Sequence, residues 1–371
     1  MMAIPGFVLA GIIMARGGIS RYLIEALRSW VGHLPGGLAV VTILACAIFA
    51  AISGSSPATA AAIGSIMIPA MISAGYDKRY SMGLVAAGGT LGILIPPSIP
   101  LIMYGITSEQ SIGELFMAGI IPGLALTGLL IVAAIVYAKR NGFKGDKPAS
   151  MSERGKKSLK AIWGALLPFI ILGSIYSGIV TPTESAVIAV VYGLIVSAFI
   201  YRELKLKDLR HIIVESVNIT AMIFLIVAAA SLFGLYLTNA QVPQTVGNWI
   251  AESDMNKWIF LIIVNILFFV MGMFLEAVSI ILITLPILLP ILLHFDINLI
   301  HFAIIMTINM ELGMITPPVG LNLFVVSGIA KEKLGEVVRG VIPFFLIMIV
   351  LLAIVVLVPQ LSLWLPEFMK K

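Results

Sequence analysis

Two stretches of this 371-residue chain place glycine and paired proline inside apolar sequence, a combination suited to holding a small cation. They read Gly92-Ile93-Leu94-Ile95-Pro96-Pro97 and Gly313-Met314-Ile315-Thr316-Pro317-Pro318. A proline inside a helix has no N–H to donate and clashes with the carbonyl four residues earlier. Pro96 and Pro317 therefore release the carbonyls of Gly92 and Gly313, where glycine leaves the oxygen sterically open. Pro97 and Pro318 release those of Ile93 and Met314 in the same way. Such oxygens, with hydroxyls from Ser53, Ser55 or Thr316, suit a hard ion such as Na+. No acidic ligand is required. No transition metal is expected, since His33, His211, His294 and His301 lack metal spacing and Cys46 stands alone.

A site of opposite polarity lies in Ser53-Gly54-Ser55-Ser56-Pro57-Ala58-Thr59. The half-helix that follows Ser55-Ser56-Pro57 presents free N–H groups and positive dipole character, a place for a substrate carboxylate. Ser56 and Thr59 would assist, and Asn322, just past the second break, offers both donor and acceptor. Taken singly, each hydroxyl reads as a helix cap or a packing group; clustered at a duplicated break, they read as ligands. Glu276 and Glu311 are the acids set deep in apolar sequence, and intramembrane acids are candidates for proton transfer or gating. Glu276 is equally placed to cap a half-helix. Metal-ligand sets, nucleophile–base pairs and phosphate loops are missing, so no enzyme is expected.

The elements that position these groups follow from composition. Sixty per cent of residues are hydrophobic and 11% charged, the balance of a membrane protein. A crossing takes roughly 20 apolar residues, and the sequence predicts spans at 3–15, 79–105, 115–138, 161–180, 185–201, 212–238, 299–328 and 341–360. Residues 38–74 and 258–293 read as pairs of half-length segments, the first divided by the polar stretch 53–59. An offset of 221 relates the two breaks, and also Pro69 to Pro290, Gly119 to Gly340 and Ile121-Pro122 to Ile342-Pro343. Paired Gly/Pro-interrupted segments in two halves point to the binding site of a secondary transporter.

An odd number of crossings separates the two hairpins, so they open to opposite faces. The expected fold is an all-α polytopic membrane protein of two inverted-topology repeats, each with a re-entrant hairpin and a discontinuous transmembrane helix. The first repeat covers 1–138, with hairpin 38–74 and broken helix 79–105. A basic cytoplasmic linker spans 139–160. The second repeat covers 161–371, with scaffold helices 161–238, hairpin 258–293 and broken helix 299–328. Shifting 212–238 back by 221 reaches before Met1, so the first repeat reads as short by roughly 40 residues.

Charge gives the orientation. Of 23 Lys and Arg, 20 lie at 16–28, 78–79, 139–160, 202–210 and 331–339. The alternate connections at 105–114, 181–184, 239–257 and 294–298 hold only Lys257. The positive-inside rule puts the basic set in the cytoplasm, leaving Lys370-Lys371 outside. Nucleic acid is not an expected partner, because it would not explain the alternation. Residues 16–32 read as an amphipathic helix along the membrane surface.

At Ser53-Gly54-Ser55-Ser56-Pro57-Ala58-Thr59, Gly88-Gly89-Thr90-Leu91-Gly92-Ile93-Leu94-Ile95-Pro96-Pro97-Ser98 and Thr181-Pro182-Thr183-Glu184, the chain resembles the large membrane subunit of TRAP (tripartite ATP-independent periplasmic) transporters. The resemblance runs through almost the whole chain. It implies an elevator-type, usually Na+-driven carrier in the bacterial or archaeal cytoplasmic (inner) membrane. It also implies two partners, a small four-helix membrane subunit and a periplasmic substrate-binding protein. The implied substrates are organic acids, including C4-dicarboxylates and sialic acids, with Na+ as coupling ion and no further cofactor. Carried onto this chain, one cation site uses Ser53, Ser55, Gly92, Ile95 and Pro97, and the other Gly272, Gly313, Thr316 and Val319. The competing readings are a stand-alone ion-coupled carboxylate carrier and, as a different class, a channel or membrane-embedded enzyme.

Overall fold

Serine, aspartate and asparagine caps, with glycine and proline between apolar runs, set the helix boundaries of the computed structural model, which describes residues 1–243, 245–246 and 255–369. Lys370-Lys371 and, within the 239–257 connection, residues 244 and 247–254 lie outside the described residues. Helices α1 (Ala3–Arg16) and α2 (Ile19–Val31) meet at 62° across Gly17-Gly18. Gly18 has φ 81°, a conformation glycine adopts without strain. Next come α3 (Gly37–Ser53), α4 (Ser56–Ser73), α5 (Lys78–Leu94), α6 (Ile99–Ser108) and α7 (Ile112–Arg140). Then follow α8 (Met151–Tyr176), α9 (Pro182–Ile195, continued by a π turn at Val196–Ile200) and α10 (Leu206–Asn239). The chain closes with α11 (Lys257–Gly272), α12 (Ala277–His294), α13 (Leu299–Met314), α14 (Leu321–Ala330), α15 (Leu334–Leu357) and α16 (Gln360–Met369).

Among the described residues eight helical segments are long and apolar enough to cross a membrane, or nine with α1 and α2 as one bent span. Their outward faces carry Phe169, Phe199, Leu225 and Leu232, as expected of a bundle solvated by hydrocarbon. Helices α5 and α6 form the centre: the most apolar stretch of Lys78–Ser108 is 94% buried, against 17% for Leu206–Leu237.

The repeat is visible in the helix bounds. Adding 221 to α4 gives 277–294, the bounds of α12; adding it to α5 gives 299–315, against Leu299–Met314 for α13. The same shift carries α6 onto 320–329, one residue from α14. The two broken helices run in opposite directions. At the start of α5, Lys78 pairs with Glu332 at 2.5 Å and Arg79 pairs with Glu336, both beside the end of α14. At the other end the Tyr104 hydroxyl of α6 donates to the Leu299 carbonyl at 2.7 Å, where α13 begins. Each hairpin leans on the other repeat: α4 packs against α14, and α12 against α6.

The basic connections gather at one end of the molecule. Arg16 pairs with Glu215 at 2.8 Å, Arg21 with Glu203, and Arg28 with Asp146 at 2.7 Å. Tyr76 stacks on Phe143 and Tyr80 on Tyr137, with ring centroids 4.2 and 3.6 Å apart. These contacts, with Lys78–Glu332 and Arg79–Glu336, tie all five connections together. The pairs are half exposed, so their worth is small. Glu332→Gln is expected to change unfolding stability by less than about 1 kcal/mol, measured by thermal unfolding in detergent.

Two expected boundaries shift. Residues 139–160 are not one linker: α7 runs to Arg140, and Ser150 accepts from the Glu153 N–H at 3.2 Å and starts α8 at Met151. Only 141–150 connect. The 53–59 tip is also shorter than expected. Ser56–Thr59 fold as the first turn of α4, with Pro57 in that first turn where its missing N–H does no harm, so Gly54 and Ser55 alone make the turn. The arm at 16–32 is an amphipathic helix: Ile19, Leu23 and Ile24 are buried as α2 packs against α3 and α8, while Arg21, Arg28 and Trp30 face outward.

Candidate functional site

The first break folds onto the first hairpin tip. Ile95 leaves the helix at φ −78°, ψ 123°, and its N–H still reaches the Leu91 carbonyl at 2.9 Å. Past the proline pair, the Ile99 N–H donates to the Gly54 carbonyl at 3.3 Å. Gly54 has φ 62°, and a Cβ there would lie 2.7 Å from the Pro97 carbonyl oxygen. Gly92 is pressed against the backbone of Ser55, so a side chain at Gly92 has no room. Ser53, Ser55, Gly92 and Pro97 thus converge, with Ile95 on the same turn.

The hydroxyls at this tip have defined roles. Thr59 has one hydroxyl proton and gives it to the Ser55 carbonyl at 2.9 Å. The Ser53–Thr59 contact of 2.8 Å is then donated by Ser53. Ser53 keeps lone pairs that meet only the Ser55 N–H at a long 3.5 Å. The Ser55 side chain caps nothing. Ser53 and Ser55 therefore present acceptor oxygens, while the fully buried Thr59 is committed to holding the tip and sits with Ser53 rather than with Ser56.

The second break repeats the pattern. A Cβ on Gly272 would lie 3.0 Å from the Gly313 Cα, so the two backbones touch. The Val319 and Gly320 N–H groups donate to the Met273 carbonyl at 3.1 and 3.3 Å. Gly320 is Ile99 shifted by 221, so the same position ties break to tip in both halves. Thr316 donates its hydroxyl to the Leu312 carbonyl at 2.7 Å and keeps its lone pairs.

Fewer carbonyls stand open than proline counting predicts. The Ile93 oxygen accepts from the Ser98 hydroxyl at 2.6 Å, and the Gly313 oxygen accepts from the Thr316 N–H at 3.0 Å. Serine and a tightened turn replace donors that proline removes, and each carbonyl retains one further lone pair.

A buried side-chain bridge joins the two halves near the first tip. The Asn322 amide donates to Ser56 Oγ at 2.8 Å and to the Ala86 carbonyl at 3.0 Å, and its Oδ1 lies 3.1 Å from Ser56 Oγ. All of it is buried. The offset partners of Ser56 and Asn322 are Ala277 and Leu101, so the corresponding positions on α12 and α6 are apolar. The acids divide. Glu276 caps α12, accepting from the Val278 N–H at 3.1 Å. Glu311 is fully buried, with no hydrogen-bond partner on either oxygen.

Two features escape the sequence reading. Ser98 is one. The other is an amide pair behind the Gly272–Gly313 contact, where Asn309 Nδ2 donates to Asn265 Oδ1 at 2.6 Å and to the Ile305 carbonyl at 2.9 Å. Asn309 lies one helical turn before Gly313, and an amide in so apolar a run is the signal that could have found it.

Known proteins share this arrangement of sequence. Residues 1–361 match the family described as "Tripartite ATP-independent periplasmic transporter, DctM component". The chain is 45% identical over 369 residues to the C4-dicarboxylate TRAP transporter large permease protein DctM of Pseudomonas aeruginosa, covering 100% of this chain and 86% of that one. It is 42% identical over 383 residues to the protein of the same description from Rhodobacter capsulatus, covering 100% and 87%. It is 43% identical over 370 residues to the isethionate TRAP transporter permease protein DctMQ of Oleidesulfovibrio alaskensis, covering 98% and 58%. These relatives are named as permeases, not enzymes. The chain belongs to the DctM family of TRAP transporter large permeases, multi-pass proteins of the bacterial inner membrane.

Proposed function

We propose that this permease carries an organic acid into the cell, driven by Na+, after delivery by a periplasmic binding protein. A small four-helix membrane subunit completes the assembly. The observation that carries this reading is the duplicated meeting of a glycine-containing break with a hairpin tip, at Gly92 with Ser55 and at Gly313 with Gly272. Unwound carbonyls and hydroxyls at broken helices are suited to Na+. One cation takes Ser53, Ser55, Gly92, Ile95 and Pro97, and a second takes Gly272, Gly313, Thr316 and Val319. The acid binds near the Ser56–Asn322 bridge, between the repeats. Relatives named for C4-dicarboxylates and for isethionate support an anionic substrate.

The antiparallel run of the broken helices supports inverted repeats, and the gathered basic connections mark the cytoplasmic end. The reciprocal packing of α4 on α14 and α12 on α6 binds hairpins and broken helices into one body. In the elevator reading that body slides against α1 and α8–α10.

The test is thermal unfolding of the purified chain in NaCl against matched choline chloride. At about 100 times the dissociation constant, Na+ should add about 2.7 kcal/mol per site. Ser53→Ala and Thr316→Val should each lose one share of that Na+-specific gain, each variant being referred to its own choline value. Equal stability in the two salts would remove Na+ coupling from the account.

A further inference from the structure

We infer that Asn265 and Asn309 are positioning residues of the second cation site, their amide pair holding α11 against α13 so that Gly272 stays in register with Gly313. The inference rests on the Na+ reading above and names the side chains that set the affinity of one of its two sites.

The pair is anchored at both ends. Asn309 Nδ2 donates to Asn265 Oδ1 at 2.6 Å and gives its other proton to the Ile305 carbonyl at 2.9 Å, one turn back on α13. Asn265 Nδ2 donates to the Leu261 carbonyl at 2.6 Å, one turn back on α11. Each amide is thus tied to its own helix while it meets the other. Asn309 is buried, where an amide without partners would be costly.

The faces that carry the pair also build the site. Gly313 follows Asn309 by four positions and Gly272 follows Asn265 by seven, so each glycine shares its asparagine's face, one and two turns on. A Cβ on Gly272 would lie 3.0 Å from the Gly313 Cα and 3.7 Å from the Asn309 carbonyl oxygen. Asn309 therefore meets α11 with both its side chain and its backbone. Thr316, whose hydroxyl keeps its lone pairs, follows Gly313 by three positions.

Helix α11 depends on such a fastening. Among the described residues it packs chiefly on α13 and little on α12, with Ile262, Ile266 and Val270 on its outer face. Apolar contact attracts without direction, so an apolar seam alone lets a one-sided helix slip or roll. A hydrogen bond constrains both distance and angle. The first repeat reaches the same end differently. The offset partners of Asn265 and Asn309 are Leu44 and Gly88. There α3 is enclosed by α1, α2, α4, α5, α7 and α8, and a Cβ on Gly88 would lie 3.0 Å from Cys46 Sγ. Close packing from several sides does for α3 what a directional bond does for α11.

A Na+ titration of thermal unfolding tests this on the purified chain, each variant being referred to its own choline value. In a Ser53→Ala background the second site is read alone. Asn265→Leu should there raise the half-saturating Na+ concentration about tenfold, the scale on which groups supporting a metal's ligands act. In a Thr316→Val background, where the second site is already lost, Asn265→Leu should leave the remaining titration in place. Asn265→Ala, which removes the amide without adding bulk, serves if the leucine variant does not fold. A bond that only fastens the bundle would lower stability in both salts and move neither titration, and that result would overturn the positioning role. An equal shift in both backgrounds would overturn it as well. Equal stability of the unsubstituted chain in NaCl and choline would instead remove the Na+ reading itself, and the positioning role with it.

Discussion

Alanine at Gly92 is expected to destabilise the permease by about 1–3 kcal/mol and to abolish uptake. The new methyl would enter the backbone of Ser55 and Ser56, which cannot rotate aside as a side chain can. The tip would have to move away from the break, and the oxygens of Ser53, Ser55 and Gly92 would lose their common focus. Gly313→Ala should behave alike, since its Cβ would strike the backbone of Gly272. The contrast is Gly128→Ala on α7, where nothing lies within 4 Å of the added atom. There the loss of chain freedom in the unfolded state should stabilise by about 0.4–1 kcal/mol. Thermal unfolding of the three variants, beside uptake in vesicles, checks the ordering. Equal effects at Gly92 and Gly128 would show that break and tip need not touch.

The second large effect concerns Asn322. Asn322→Leu removes the partner of the buried Ser56 hydroxyl, at a cost of about 1–3 kcal/mol, while the Ala86 carbonyl, inside α5, loses a second donor and keeps its place in the helical ladder. The combination Ser56→Ala with Asn322→Leu should recover part of this, with a coupling of about 0.5–3 kcal/mol between the two positions. That double variant places at these positions the residue types of Ala277 and Leu101, their counterparts in the other repeat. It should therefore fold well and yet transport poorly. Full uptake by a stable double variant would reduce the bridge to a structural fastening.

The sequence carries its architecture openly because proline, glycine and apolar length act locally. Pro96-Pro97 and Pro317-Pro318 mark where helices stop, and the 221-residue offset recurs in the bounds of α4 and α12. The open carbonyls were partly legible for the same reason, since carbonyl release depends only on residues four apart. What proline counting misses is substitution: Ser98 and the Thr316 N–H refill positions that proline vacates. The Ser53–Thr59 tip looked longer than it is because Ser56 and Thr59 serve a helix start as well as a loop. The Ser56–Asn322 bridge spans 266 positions, and residue types alone do not say which distant amide meets which hydroxyl. Glu311 was visible as an oddity; its lack of any partner is a property of packing.

The measurement that tests the account most directly is uptake of a labelled C4-dicarboxylate into vesicles containing the permease and its small subunit. Binding protein would be added outside, under an inward Na+ gradient or in choline. The account predicts uptake only when Na+ and binding protein are both present, and its loss in Gly92→Ala. Uptake of equal rate in choline would contradict ion coupling through the two breaks. Uptake without the binding protein would make the chain a stand-alone carrier.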